Sequence, residues 1–177
     1  MKQRKFDTEE SAEAQPVNGV EVQKLFDTID AVKSIPGIAK FKFRIRNEWL
    51  DAGHNRSTIS EYHGAQQDLS RAVPFILDAD EPPILLGKDK GANPVEYLLH
   101  ALAACVTTSM VYHAAAKGIE IQEVESRIEG DIDLRGFLGL DKSIRNGYQQ
   151  IRMNFRIILA LVHPDWWGEM IIHPYDG

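Results

Sequence analysis

One thiol, Cys105, is all that a chain of 177 residues offers for sulfur chemistry. Its thiolate is the form that attacks peroxides and other electrophiles. A single cysteine excludes an intramolecular disulfide and any thiolate-based structural zinc site within one chain. On a helix, Leu98, Ala101, Leu102, Thr108, Ser109 and Tyr112 share the face of Cys105, and the apolar members of that set disfavour the ionised sulfur. The helix start lies about three turns away, too far for its dipole to help, so a cation has to come from elsewhere in the chain. Histidine is not the obvious partner. His100 stands about 140° round the helix from Cys105, while His113 stands about 80° round and roughly 12 Å along. His54, His63, His163, His173 and the carboxylates have no recognised metal spacing, and no GxGxxG or GxxxxGK segment is present, so neither metal nor nucleotide cofactor is expected.

The element carrying Cys105 is sharply punctuated. Asn93 reads as an N-cap, Pro94 as the first helical residue, Glu96 as the third, and Gly118 as the stop. No charged side chain occurs between Tyr97 and Ala116. Length alone offers that run as a membrane span, but His100, Thr107, Thr108, Ser109, Tyr112 and His113 interrupt it, and its many alanines suit a central core helix.

Around this helix the periodicity alternates between 3.6 and 2. Residues 18–35 read as a helix with Asn18 and Glu21 forming a capping box, closed by Pro36 and Gly37. Phe41, Phe43 and Ile45 alternate with Lys40, Lys42, Arg44 and Arg46 in a half-buried strand over 39–49, and DAGHN turns it into a second strand at 56–62. A shorter strand follows at 73–77, then a broken loop over 78–93. After Gly118 a strand through Ile121, Val124, Ser126, Ile128 and Ile132, bulged near Gly130, leads through a loop at 134–147 to another strand at 151–157. The expected class is α+β, an antiparallel sheet packed on one long helix.

The net charge of -6 disfavours nucleic acid and anionic membrane surfaces as partners. Residues 1–16 turn from basic to acidic without an apolar stretch, and read as a disordered tail on a cytoplasmic protein with no membrane association. Residues 17–157 form the domain. Residues 158–177, with two adjacent tryptophans and two His-Pro steps, fit neither period.

The segments NPVEYLLHALAACVTTSMVYHAAAKGIEIQEVES and GHNRSTISEYHG resemble the OsmC/Ohr family of hydroperoxide-reducing and related proteins over 39–157. The resemblance implies an intertwined homodimer built around the long helices. It also implies a peroxidatic cysteine at Cys105, an activating arginine at Arg56 ahead of Arg44, Arg46 and Arg71, and a carboxylate that orients the arginine. The chain departs from that pattern twice. Val95 occupies the usual carboxylate position and Glu96 is displaced by one residue, about 100° round the helix. There is no second cysteine to resolve a sulfenic acid, and residues 158–177 replace the family's second helix and last strands. Two functions follow as expectations. One is reduction of an organic hydroperoxide through Cys105, Arg56 and Glu96, recycled by an external thiol or dithiol. The other is a non-catalytic protein that binds a small apolar ligand or a partner and uses Cys105 as packing.

Overall fold

A computed structural model describes residues 15–160, which divide into two compact units, one ending at Leu102 and one beginning at Ala103. The architecture is α+β with antiparallel sheets. The first unit begins with helix α1, Val22–Ser34. Its N-cap is Glu21 without a side-chain bond, because Asn18 lies in the left-handed region at φ 53° inside a tight turn. The cap thus falls at Glu21 rather than at Asn18, where it was expected.

Four strands follow: β1 at Lys42–Phe43, β2 at Arg46–Asp51, β3 at His54–Gly64 and β4 at Gln67–Ala79. Strand β3 is the organiser. Strands β1 and β2 pair with its successive stretches, and β4 pairs with it along most of its length. The single strand expected over 39–49 is thus two pieces. The strand expected at 73–77 is far longer, because its polar start at Gln67–Ser70 also joins the ladder. Between Ile59↔Phe75 and Glu61↔Ser70 the register jumps, so Arg71–Pro74 bulge opposite Ser60. Pro74 has no ladder donor to give and is accommodated at such an irregularity.

Beyond β4 the chain wraps a buried carboxylate. Asp80 is 1% exposed and accepts the backbone N–H groups of Glu81 at 2.8 Å, Lys88 at 3.0 Å and Lys90 at 3.2 Å. Burial pushes its pKa up, yet the donors from Lys90, Glu81 and Lys88 outweigh burial and hold it below the ordinary value. The loop closes tightly on itself. A Cβ on Gly87 would lie 1.8 Å from the Glu81 carbonyl oxygen, and one on Gly91 would lie 2.0 Å from that of Asp78. A bridge between Ala79 and Ala92 then delivers Asn93 to the start of helix α2, Pro94–Ala116.

In the second unit α2 ends at Gly118, with Ile119 N–H donating to Ala114 O at 2.9 Å. Strands β5, Ile121–Ile132, and β6, Tyr148–Leu159, form an antiparallel hairpin with register shifts at Ile121/Glu123 and Asp131/Ile132, the latter beside the bulge expected at Gly130. The connection, expected as a loop, holds one helical turn, α3, Leu134–Phe137, capped by Asp133. One face of the hairpin is a charge ladder in which Arg152 binds Glu129 and Asp131, while Arg156 binds Glu123 and Glu125. The other carries Val124, Ile128, Ile151, Met153, Phe155 and Ile157. β6 extends two residues past the expected limit at 157. The remainder of the expected C-terminal segment, 161–177, and residues 1–14 of the expected N-terminal tail lie outside the described residues.

Among the described residues nothing covers α2 as a core helix would be covered. Ala115 is the only buried residue of α2, and Leu98 is 61% exposed. By length and hydropathy α2 is also long and apolar enough to cross a membrane. Phe41, Phe43, Trp49 and Phe75 in the first unit, and Phe137 and Leu140 in the second, are exposed too. So much uncovered apolar surface exceeds what a soluble monomer usually leaves to water.

The closeness of the loop around Asp80 sets a stability test. Gly87→Ala forces its new methyl group into backbone rather than into a side chain that can yield, and is expected to cost about 1–3 kcal/mol in urea unfolding.

Candidate functional site

Alternation along β3 and β4 places His54, Arg56, Asp78 and Asp80 on one face of the first sheet, where Arg56 and Asp78 are direct cross-strand partners. The Arg56 guanidinium binds that carboxylate edge-on: Nε donates to Oδ1 at 3.0 Å and Nη2 to Oδ2 at 3.2 Å. His54 Nε2 lies 2.8 Å from the same Oδ1. The Asp78 side chain is 28% exposed and that of Arg56 47%. The His54 hydrogen bond, followed by that of Arg56, holds the Asp78 carboxyl below its ordinary pKa.

The rival arginines are engaged differently. Arg44 shares the more exposed Asp68 with His63, and Arg46 binds Glu48. The Arg71 guanidinium lies over the rings of Tyr62 and Phe75, 5.0 and 5.4 Å from their centroids.

Helix α2 starts as its sequence demands. Asn93 Oδ1 accepts from Val95 N–H at 2.9 Å, while Glu96 Oε2 accepts from Asn93 N–H at 2.9 Å, closing a capping box. The Asn93 amide also donates to Glu81. In the first unit Arg56 and Glu96 therefore sit on separate partners, Asp78 and Asn93. One turn into the helix, Tyr97 Oη donates to the Asp78 carbonyl at 2.8 Å and ties α2 to β4.

Cys105 lies on the part of α2 that belongs to the second unit, and it is exposed. That unit also contains an apolar groove of about 280 Å³ between the end of α2 and the hairpin. Met110, Ala114, Ile157 and Leu159 line it, with His113 and Lys117 as its polar members. Among the described residues no three His, Cys, Asp or Glu side chains are grouped as a metal site requires.

Two residues central to this geometry, His54 and Asp78, were not legible as such. The expected strand stopped at Leu77, which left Asp78 in a loop, and the bulge at Arg71–Pro74 hides the register that sets it opposite Arg56. The only trace is the alternation Asp78-Ala79-Asp80.

Among known proteins, residues 87–168 match the family model described as OsmC-like protein. No curated protein matches the chain. Cys105 and Glu96 fall inside the matched segment, and Arg56 precedes it.

Because the depressed Asp78 pKa belongs to the folded state, the stability it confers is complete above the ordinary value of 3.8 and is lost as pH falls through the lower folded value. Asp80, Asp131 and Asp133 act in the same direction. Acid unfolding followed by circular dichroism is therefore expected to set in below pH 3.8, and Asp78→Asn is expected to flatten part of that dependence.

Proposed function

We propose that this chain, whose residues 87–168 match the OsmC-like family model, reduces organic hydroperoxides through one thiol. The observation that carries this reading is the exposure of Cys105. Free cysteines are among the most buried residue types, whereas no neighbour among the described residues closes Cys105 off from a reactant. The Cys105 thiolate attacks the terminal oxygen of ROOH. The S–O bond forms as the O–O bond breaks, the alkoxide leaves and takes up a proton to become ROH, and the sulfur is left as sulfenic acid. An external dithiol completes the cycle. Its first sulfur displaces water to give a mixed disulfide, and its second releases the Cys105 thiolate and departs as the cyclic disulfide. Arg56, always charged, stabilises the thiolate and the departing oxygen. Glu96 serves through its capping bond as a support of the helix start rather than as a reacting group. The apolar side chains that share the helix face of Cys105 by spacing, Leu98, Ala101 and Leu102, favour alkyl over hydrogen peroxide.

The assembly belongs to the same reading. Two copies intertwine around their α2 helices, which makes each a central helix and covers the apolar residues that one chain exposes. Burying that surface against another copy satisfies it without a membrane, and accommodates the threonines, serine and histidines of α2.

A second reading rests on the groove of the second unit, whose apolar walls suit a small apolar ligand. In that case Cys105 performs no chemistry. Alkylation separates the two: fast labelling of Cys105 in the native protein supports the reductase, while labelling that requires denaturant supports the binding protein.

For the reductase, cumene hydroperoxide consumption with dihydrolipoamide is expected to fall to background in Cys105→Ala. Equal rates in the two proteins would refute it. In sedimentation equilibrium the protein is expected at twice the chain mass of 20.0 kDa, and a monomer would overturn the proposed assembly.

A further inference from the structure

We infer that Asp78 is the positioning residue for Arg56 in this reaction, with His54 holding the carboxylate in place; the inference rests on the reductase reading above. A guanidinium has five N–H donors in a planar fork. Asp78 takes the edge formed by Nε and Nη2, and that leaves the Nη1 edge to face an anion. An arginine on the wet face of a strand otherwise samples many rotamers, and the clamp reduces them to those in which the remaining edge has one orientation. That edge is suited to a thiolate and to the oxygen that gains charge as the O–O bond breaks.

The carboxylate is itself fixed from three directions. The β3–β4 register places Asp78 opposite Arg56, His54 Nε2 lies 2.8 Å from its Oδ1, and Tyr97 Oη donates to its main-chain carbonyl at 2.8 Å. The competing carboxylates are committed elsewhere. Glu96 accepts from Asn93 N–H, and Glu48, which faces Arg56 across the other ladder, binds Arg46. Asp78 acts through Arg56 and has no reacting atom of its own to touch.

A double-mutant cycle on the full-length protein, read as kcat/KM for cumene hydroperoxide with dihydrolipoamide, tests this. Arg56→Ala is expected to lose about a hundred-fold. Asp78→Asn, which keeps size but cannot accept both N–H groups at full charge, is expected to lose about ten-fold. In the Arg56→Ala background Asp78→Asn is expected to cost nothing further. A purely structural role for Asp78 would instead repeat its loss in both backgrounds, and that result, or an Asp78→Asn rate equal to wild type, overturns the inference while leaving the reductase reading intact. A wild-type rate no higher than that of Cys105→Ala overturns both. If Asp78→Asn does not fold, Asp78→Glu takes its place in the cycle. It keeps the charge but moves the carboxylate by one methylene, and the same dependence on Arg56 is expected.

Discussion

An ionised carboxylate kept from water has to be surrounded by donors, and Asp80 meets that demand with the backbone of its own loop. Three N–H groups converge on it from Glu81, Lys88 and Lys90. Because main chain supplies them, the path of the chain from 80 to 92 is set by the charge rather than by apolar packing. The next residue is Asn93, which caps α2 and thereby fixes where the helix carrying the thiol begins. On the other side, two residues back on the same face, is Asp78, which holds Arg56. Side chains that bear on the proposed chemistry are thus placed on both sides of one buried charge.

How far this was readable in the sequence varied with the range of the interactions. The helix start needed only neighbours, so Asn93, Pro94 and Glu96 announce it and the capping box forms as expected. Gly118 ends it equally locally. The sheet depended on partners distant in the chain. The alternation of Phe41, Phe43 and Ile45 pointed to one strand where there are two, and the polar residues Gln67–Ser70 gave no sign of joining β3. Asn18 and Glu21 had the right types for a capping box, yet a left-handed turn at Asn18 places the cap elsewhere. Asp78 remained hidden because strand register is a property of two segments, and a bulge in one of them defeats any count along the chain. The resemblance to the family led to Cys105 and Arg56; which carboxylate holds the arginine needed coordinates.

The apolar helix illustrates a different limit. Its composition called for a buried environment, and the described residues do not provide it. A helix apolar all round, with polar groups that no hydrocarbon phase would welcome, is matched to a protein surface of similar character. The proposed intertwining of two copies resolves this, since the side chains exposed on one copy are the kind that another can cover. Catalysis and association would then be inseparable, because a residue open on the isolated chain need not be open to bulk solvent in the assembly.

The two faces of the β5–β6 hairpin carry one more consequence. Sliding one strand past the other by a single residue would carry Arg152 and Arg156 to the greasy side and take them away from Glu129, Asp131, Glu123 and Glu125. Such ion pairs on an exposed face add little to overall stability, but a slip that carried both arginines to the apolar side would leave two charges without partners. The charged face and the apolar face therefore select the same alignment of this long ribbon, each rejecting a one-residue slip.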